Sequence, residues 1–552
     1  MFIACCYIFK TQAQNVTPDW HQKAIVYQIY PLSFQDSDGD GIGDIKGVIS
    51  RLDYLQSLGI NTIWLSPVYP SPWADHGYDI SNYKNIHPRL GNLDEMDELI
   101  AETKKRNIHL LMDLVMNHTS NQHPWFQASR MDSVDGKFRS MYIWKEGKKK
   151  PNNWKSMIGG SGWQYDEAAK AWYWASFLGF QPDLNYHNPA VKDSMFSIMD
   201  FWIKRGVDGF RLDIFNCLAE DTSFKNNPAS LRALPSETNP NGFFQKPVYT
   251  QNTPATFVIS KDFRQRLDSI SNKNAFSVGE VFGPPELLRS YTENNKGLHS
   301  VFLFKTLHAG FHAKKWKKLI QENETYFAEP LLPTWVLSNH DKKRFISRIG
   351  NNEEKMRCVI FMQLMQRGIP FIYQGEEIGM RQQKLNPKYS QDPVVKKYGV
   401  AAARISKISG EAMNRDECRT PMAWNNNKNG GFSESDTTWL PVSKEIKYIN
   451  AKMAIQTPNS LYHHYKNLIS LRSSLDIFTK GKTDSVELKN KVLSYQRKYN
   501  GETITCYINF SKRRNKIKYP VKTEQVIFGK LETNKRDIQF LPPHSATITK
   551  EN

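Results

Sequence analysis

The sequence predicts an α/β fold: a (β/α)8 TIM barrel with an inserted subdomain after the third strand and a C-terminal β-sandwich. Two observations predict the barrel. Apolar strand-like runs alternate with helical spacing from about residue 20 onward, and polar residues follow directly where several strands end. The run at residues 108–116 is almost continuously apolar, which is typical of a parallel strand buried on both faces. A chain of 552 residues is long enough for two or three domains.

The elements are predicted in chain order from these patterns. The early strands are residues 24–30, 60–65, 108–116 and 207–213, and later strands end at 278–280, 301–303, 335–337 and 369–373. Helical spacing covers residues 48–58, 93–106 and 191–205. Gly59 is expected to stop the first of these helices. Three short strands at 486–488, 492–496 and 503–509 predict a different, all-β architecture near the end.

The predicted domain boundaries follow from breaks in this alternation. Residues 15–118 and 186–476 are assigned to the barrel, and residues 477–552 to the β-sandwich. Residues 119–185, rich in Trp, Lys, Gly and Asn, form the predicted subdomain. A second irregular stretch, residues 221–255, is rich in Pro and Asn.

The apolar start, residues 1–14, resembles the end of a secretory signal peptide whose positive n-region is missing. We therefore expect a periplasmic or secreted protein, with a cytoplasmic location as the alternative. No later segment is typical of a transmembrane helix. The six cysteines lack metal-ligand spacing, which predicts free thiols. The net charge of +19 comes without a nucleic-acid motif, so we expect a lysine-rich solvated surface, no nucleic-acid partner and a monomer.

Arg211 and Asp213 stand two residues apart at the end of an apolar run. Side chains at i and i+2 of a strand project from the same face. The guanidinium is then expected to lower the pKa of the neighbouring carboxyl and keep it ionised, as a nucleophile requires. Taken alone, the pair is equally compatible with a structural ion pair.

The residues that follow barrel strands line the active-site mouth in this fold. Here they form a chemically coherent set without a Ser or Cys nucleophile: Tyr78, Asp79, Asp113, Asn117, His118, Arg211, Asp213, Glu280, His340 and Asp341. Two carboxyl groups in different environments are what glycoside cleavage requires. Glu280 has the apolar neighbours Val278, Val281 and Phe282, so it is the predicted acid, and Asp213 is the predicted nucleophile.

Four ordered motifs carry a family resemblance. They are Asp113-Leu-Val-Met-Asn-His118, Gly209-Phe-Arg-Leu-Asp213, Gly279-Glu-Val281 and Leu337-Ser-Asn-His-Asp341. The chain resembles the α-amylase superfamily, glycoside hydrolase family thirteen. The resemblance implies that Asp213 forms a covalent glucosyl intermediate, that Glu280 acts as acid and then base, and that Asp341 holds sugar hydroxyls. It also implies that His118 and His340 contact the same sugar.

Other segments resemble the oligo-1,6-glucosidase and α-glucosidase subgroup. They are Gln181-Pro-Asp-Leu-Asn185, Tyr27-Gln-Ile-Tyr-Pro-Leu-Ser-Phe34 and Arg415-Asp-Glu-Cys-Arg-Thr-Pro-Met422. The resemblance implies an exo-acting enzyme in which Asp79 pairs with Arg415 or Arg419 behind the terminal glucose. Ile214, β-branched like the Val usual for α-1,6 bonds, favours isomaltose-type substrates.

Two alternatives to hydrolysis remain at this stage. One is a transglucosidase or isomerase of the same family, of a sucrose- or trehalose-forming type, in which a sugar replaces water. The other is a non-catalytic relative such as an amino-acid transporter heavy chain. That class lacks the carboxylates and carries a membrane helix, whereas this sequence keeps Asp213, Glu280 and Asp341.

Residues 36–44 alternate acidic residues with glycines, a pattern suited to a hard cation. The twelfth position is Gly47 where an EF-hand has Glu, so this is not an EF-hand. The family resemblance implies a structural Ca²⁺ with a ligand set consisting of Asp36, Asp38, Asp40, the Ile42 carbonyl and Asp44. The alternative is a turn without an ion. No organic cofactor is expected.

Overall fold

The computed structural model of the protein describes residues 19–408, 413–517 and 525–550. The predicted signal segment lies outside these residues. The described strands are β1 Val26–Ile29, β2 Thr62–Leu65, β3 His109–Val115, β4 Trp144–Glu146, β5 Trp163–Asp166, β6 Ala171–Trp174, β7 Gly209–Asp213, β8 Phe276–Gly279, β9 Ser300–Val301, β10 Thr334–Val336, β11 Ile369–Tyr373, β12 Lys482–Lys489, β13 Val492–Tyr499, β14 Glu502–Asn509, β15 Asn515–Lys516, β16 Val526–Phe528, β17 Glu532–Thr533, β18 Gln539–Leu541 and β19 Ala546–Lys550.

Helices separate most of the barrel strands and cover their outer faces. They are α1 Asp19–Lys23, α2 Ile45–Ser50, α3 Leu52–Leu58, α4 Leu93–Lys105, α5 Pro124–Met131, α6 Pro189–Arg205, α7 Pro254–Ser271, α8 Pro285–Ser290, α9 Ala313–Tyr326, α10 Phe345–Arg348, α11 Glu353–Leu364, α12 Pro393–Ile408, α13 Ala451–Gln456, α14 Leu461–Ser474 and α15 Asp476–Thr479.

Eight strands form one sheet in the order β10-β11-β1-β2-β3-β7-β8-β9, and every pairing in it is parallel. The predicted (β/α)8 barrel is therefore confirmed. The register sets Asp113 beside Arg211 and Val115 beside Asp213, so the polar ends of β3 and β7 lie at the same rim. This rim is the carboxyl end of the sheet, where active sites of this fold occur.

The seam between β9 and β10 is closed by side chains. The Ser300 hydroxyl donates to the Leu332 carbonyl at 2.5 Å, and the Thr334 hydroxyl donates to the Val301 carbonyl at 3.1 Å. The same Thr334 oxygen accepts from the Leu303 amide at 2.8 Å. Two short strands thereby satisfy backbone groups that would otherwise remain unpaired in a buried setting.

Helix boundaries follow local capping chemistry. Asn92 and Asn188 accept backbone N–H bonds at the starts of α4 and α6, and Pro189 opens α6. The single helix predicted over residues 48–58 is two helices instead, with the break at Arg51. Gly59 ends the second of them in a left-handed conformation, φ +96°, as predicted.

The inserted subdomain contains the antiparallel sheet β4-β6-β5. Its core is a tryptophan cluster of Trp154, Trp163 and Trp174, with Ile143. Phe224, from the second irregular stretch, packs against this cluster and stacks on Trp154 with ring centroids 5.4 Å apart. The two segments that interrupt the barrel in sequence therefore meet above it as one layer.

The C-terminal part is all β. A five-stranded antiparallel sheet, β12-β13-β14-β19-β16, lies with a three-stranded sheet, β15-β18-β17, around a small core that includes Tyr507, Ile517 and Leu541. Four cysteines, Cys217, Cys358, Cys418 and Cys506, are buried free thiols. Among the described residues, no helix combines the length and apolarity that crossing a membrane requires.

Candidate active site

A cavity of about 280 Å³ opens at the carboxyl rim of the barrel. The predicted residues that line it are Tyr78, His118, Asp213, Glu280, His340, Asp341 and Arg415. They come from the ends of six different barrel strands or from the loops that follow them, and the barrel brings them together as the sequence predicted.

Arg211 is the electrostatic centre of this site. The residue is 1 % exposed, and its Nη1 donates to Asp113 Oδ1 at 2.8 Å and to Asp213 Oδ1 at 2.6 Å. Its Nη2 donates to Glu280 Oε2. The guanidinium also lies over the Trp64 ring, 5.1 Å from the centroid. One buried cation therefore holds three carboxyl groups at the base of the cavity.

The prediction that Arg211 lowers the pKa of Asp213 is wrong in its net direction. Burial raises the pKa of Asp213 to about 7, and the guanidinium only partly opposes this shift. Burial likewise raises the pKa of Glu280 to about 8 against the same opposing charge. The prediction overlooked that Arg211 is shared, so that its single positive charge faces three buried carboxyl groups.

Tyr78 and His340 form a hydrogen-bonded bridge beside these groups. Gln28 Nε2 donates to His340 Nδ1 at 2.7 Å, which assigns the ring proton to Nε2. That Nε2 lies 2.9 Å from the Tyr78 hydroxyl, which in turn donates to Asp113 Oδ2 at 3.0 Å. Burial lowers the pKa of His340 to about 3, so the imidazole is neutral and acts as a directional donor.

His118 contacts the backbone of Tyr78. Its Nε2 is 3.2 Å from the Tyr78 carbonyl, and its Nδ1 is 3.3 Å from Asn117 Nδ2. Burial lowers the pKa of His118 to about 4. Both histidines that the sequence singled out are therefore neutral residues oriented by their neighbours.

Asp341 has the opposite electrostatic setting to Glu280. Arg419 Nη2 donates to its Oδ1 at 2.8 Å, Arg415 Nη1 donates to the same oxygen at 3.2 Å, and His340 lies 3.1 Å from its Oδ2. Although burial raises the pKa of Asp341, His340 and the two guanidinium groups hold it well below its usual range. The carboxylate is ionised at any physiological pH.

The predicted partner of Arg415 is corrected from Asp79 to Asp75. Arg415 Nη2 donates to Asp75 Oδ1 at 3.0 Å and to Asp392 Oδ1 at 3.0 Å. Asp79 instead accepts from the Ser71 hydroxyl at 2.8 Å and from the Asp75 amide at 3.0 Å. These hydrogen bonds within the loop engage the Asp79 carboxylate, whereas Asp75 lines the cavity.

Two further residues, Arg211 and Arg419, were predicted to contact substrate, and that role stays a prediction. Neither is among the described residues that line the cavity, and each is 1 % exposed. Arg419 lies behind Asp341, where its Nε donates to the His340 carbonyl at 2.8 Å. Both residues support the carboxylates from behind.

Several residues that line the cavity were not predicted as site residues: Asp75, Met157, Phe177, Gln181, Glu237, Phe282, Asn339 and Lys342. Gln181 belongs to a segment that the sequence had singled out, and its Nε2 donates to Asp75 Oδ2 at 3.2 Å. Asp75 stands three residues before Tyr78 in the same loop, and proximity to that motif was the signal that could have identified it.

The Asp36–Asp44 loop brings three carboxylates together. Ligand oxygens of Asp36, Asp38 and Asp40 lie within 4.8 Å of one another. Burial and the neighbouring negative charges of Asp40 and Asp36 raise the pKa of Asp38. A bound cation would offset the repulsion among these carboxylates. Asp44 caps α2 by accepting from the Gly47 amide at 2.7 Å. The donor set thus fits a hard cation, with Asp44 already engaged by the helix.

Comparisons with known proteins agree with this geometry. Residues 28–481 match the alpha amylase catalytic domain family. The chain is 36 % identical to an oligo-1,6-glucosidase of Parageobacillus thermoglucosidasius, covering 94 % of this chain and 96 % of that protein. Among solved structures it resembles the alpha-glucosyl transfer enzyme XgtA, with 28 % identity, TM-score 0.87 and coverage of 97 % and 99 %.

It also resembles the trehalulose synthase MutB of Pseudomonas mesoacidophila MX-45, with 28 % identity, TM-score 0.84 and coverage of 96 % and 99 %. The family match spans most of the chain, and the relatives that are named glucosidases cover nearly all of it. The protein therefore belongs to the α-amylase family, glycoside hydrolase family thirteen, and is a glycoside hydrolase of its glucosidase type.

Proposed function

We propose that the protein is an exo-acting, retaining α-glucosidase that releases glucose from the non-reducing ends of short α-glucans, preferably α-1,6-linked ones. The observation that carries this proposal is the placement of Asp213 and Glu280 on the two terminal nitrogens of one guanidinium at the base of a small cavity. The glucosidase relatives support the same substrate class.

Retention follows from the proximity of the two carboxyl groups. Retaining enzymes hold them about 5–5.5 Å apart, whereas inverting enzymes separate them by about 6.5–9.5 Å to admit a water. Asp213 and Glu280 share Arg211 and are close enough to interact through a side-chain hydrogen bond. This proximity supports a retaining mechanism.

In the proposed mechanism, an Asp213 oxygen attacks the anomeric carbon while Glu280 gives its proton to the departing glycosidic oxygen. The C–O bond to the leaving sugar breaks as the bond to Asp213 forms. Glu280, now ionised, takes a proton from water, and the resulting hydroxide displaces Asp213 from the same carbon. Two inversions give net retention, and Asp213 and Glu280 both return to their starting protonation states.

The site holds the proton that this cycle needs. Glu280 and Asp213 have raised pKa values of about 8 and about 7. Because the two groups interact, they titrate as a pair that retains one proton near neutral pH. Asp341 stays ionised through its cations and can accept hydroxyl hydrogen bonds from the bound glucose.

This pair predicts an alkaline limit to activity. The acid form of Glu280 and the ionised form of Asp213 are both required, so kcat/KM is lost as pH rises through about 8 and also falls as pH drops through about 7. Asp213→Ala should lower glucose release by about 10⁴-fold or more, because the nucleophile is missing.

Glu280→Gln should remove the alkaline limb from the pH dependence of kcat/KM on 2,4-dinitrophenyl α-glucoside, because the leaving group of this substrate needs no acid.

Circular dichroism spectra matching the wild type would serve as the folding control for both variants. Nuclear magnetic resonance of the first product should detect α-glucose before mutarotation. Initial formation of β-glucose would contradict retention, and an unchanged alkaline limb in Glu280→Gln would contradict the role of that residue.

Exo action is supported by the ion-pair network behind the cavity. Arg415 joins Asp75, Asp341 and Asp392, and all of these except Asp392 line the cavity. A glucan chain cannot continue through such a network without breaking buried ion pairs, which costs several kcal/mol. The terminal glucose is therefore the unit that fits.

Asp75→Asn should lower kcat/KM for isomaltose by about 100-fold, since it removes one charge of a buried pair. The matched control is Asp79→Asn, which keeps an acceptor for the Ser71 hydroxyl and should change kcat/KM by less than about fivefold. Steady-state glucose release measures both. A larger loss in Asp79→Asn than in Asp75→Asn would contradict the assignment.

Ile214 supports the preference for α-1,6 bonds. It lines the cavity directly after Asp213 and is 6 % exposed. Its backbone is left-handed, φ +42° and ψ +38°, an uncommon conformation for a β-branched residue. The branched side chain narrows the cavity next to the scissile bond, where an α-1,4-linked sugar lies closer than one attached through the extra methylene of an α-1,6 bond.

Ile214→Ala should therefore reduce the ratio of kcat/KM for isomaltose over maltose by about tenfold, whereas Ile214→Val should keep it within about twofold. Glucose release from the two disaccharides, measured in parallel, gives the ratio. A wild-type preference for maltose would overturn the linkage assignment.

A transglucosidase or isomerase is the second candidate, because the similar structures include a glucosyl transfer enzyme and a trehalulose synthase. In either case a sugar hydroxyl replaces water in the second displacement. Chromatography of the products from sucrose and from concentrated isomaltose separates the candidates. Hydrolysis yields monosaccharides only, whereas transfer yields new oligosaccharides.

We also propose that the Asp36–Asp44 loop binds a structural Ca²⁺. Asp36, Asp38 and Asp40 would hold it, with Asp44 and the Ile42 carbonyl as the remaining predicted ligands. The ion would neutralise the loop and stabilise the folded state by mass action, by about 2.7 kcal/mol at a concentration 100 times its Kd.

Calcium should accordingly raise the melting temperature of chelator-treated protein, and Asp38→Asn should reduce that shift. Asp484→Asn, at an exposed carboxylate of the C-terminal domain, is the control and should leave the shift intact. Differential scanning calorimetry with calcium, magnesium or chelator measures the effect. An equal shift in both variants would exclude this loop as the site.

A further inference from the structure

A second chamber opens beside the catalytic cavity. Its volume is about 230 Å³, and Met157, Phe177, Glu237, Phe282 and Lys342 line both spaces. The catalytic cavity alone falls just below the 300–1,000 Å³ typical of small-molecule sites, at about 280 Å³. Because the two chambers share five lining residues, they adjoin and extend the space beyond the catalytic cavity.

The outer wall of this chamber is the second irregular stretch, residues 221–255. It supplies Pro235, Phe243, Gln245 and Gln251. These residues combine an aromatic ring and proline faces with amide groups, which suits a ligand that has an apolar ring face and hydroxyls around its edge.

Contacts with the inserted subdomain hold this wall in place. The Asn153 amide donates to Asn226 Oδ1 at 3.0 Å, and Trp154 Nε1 donates to the Lys225 carbonyl at 2.8 Å. Gln245 Nε2 donates to the Asn153 carbonyl at 2.6 Å. Because the wall is anchored at both its beginning and its chamber face, the chamber is preformed.

Glu237 links the wall to the catalytic residues. Its Oε1 forms an ion pair with Lys342, and its Oε2 lies 2.9 Å from His308 Nε2. Its carbonyl accepts from the Gly283 amide at 2.9 Å. Although burial raises the pKa of Glu237, His308 and Lys342 hold it well below its usual range, so the group is charged. Lys342 directly follows Asp341 in the chain.

We propose that this outer chamber binds the leaving-group side of the substrate, and that the enzyme therefore prefers α-glucosides of three or more units to disaccharides. The Glu237–Lys342 pair stands where the chambers join, so it would hydrogen-bond the second sugar. Phe243 stands further out and would pack against the third. The inference rests on the proposed α-glucosidase function and adds substrate length to it.

The test compares the ratio of kcat/KM for isomaltotriose over isomaltose between wild type and variants. Phe243→Ala should lower this ratio by about five- to tenfold through loss of the ring contact, with no comparable change on p-nitrophenyl α-glucoside. Glu237→Gln should lower kcat/KM for both oligosaccharides more than for the nitrophenyl glucoside, whose leaving group is not a sugar.

Phe244→Ala is the matched control. Phe244 is 61 % exposed and is not among the described residues that line either chamber, yet its backbone is left-handed like that of Phe243, with φ +64° against +50°. The ratio of kcat/KM for isomaltotriose over isomaltose in the Phe244→Ala variant should equal that of the wild type.

An unchanged ratio in the Phe243→Ala variant, or a wild-type preference for the disaccharide, would overturn the outer-chamber proposal. Glucose release would in that case still support the α-glucosidase. Absence of glucose release from all three substrates by the wild type would instead refute the α-glucosidase and, with it, the chamber's role.

Discussion

The buried guanidinium of Arg211 is the constraint on which the catalytic geometry depends. It contacts Asp113, Asp213 and Glu280 at once, and removing a buried cation from its partners leaves uncompensated charge that costs several kcal/mol. The three carboxyl groups come from three neighbouring strands, so the barrel register and the charge balance must be satisfied together. The site is consequently held by the same interactions that hold the rim of the barrel.

Around this centre the protein places carboxyl groups in two opposite environments. Glu280 contacts one shared cation and has a raised pKa, whereas Asp341 contacts two guanidinium groups and has a pKa held well below its usual range. One small cavity therefore holds one carboxyl group that is kept protonated and another that stays ionised. The proposed glycoside cleavage requires carboxyl groups in such different environments.

The segments that interrupt the barrel shape what reaches these groups. The subdomain after β3 and the stretch after β7 meet through Trp154 and Phe224, and the latter stretch reaches back to the rim through Glu237. Loops mounted on a rigid scaffold are the usual place for specificity. Here the barrel supplies the chemistry, whereas the interrupting layer supplies a second chamber beside it.

The sequence alone determined the barrel, its insertion, the terminal sandwich and the identity of the principal carboxyl groups and histidines. Strand periodicity and the positions that follow strand ends are local properties of the chain, so Asp213, Glu280, His340 and Asp341 were identifiable without coordinates. The three-dimensional fold set which charges meet: Arg415 pairs with Asp75 rather than Asp79, and burial raises the pKa of Asp213 against the opposing charge of the shared Arg211. Burial and ion pairing depend on contacts between residues that can be hundreds of positions apart, and the spacing of residues along the chain does not predict these contacts.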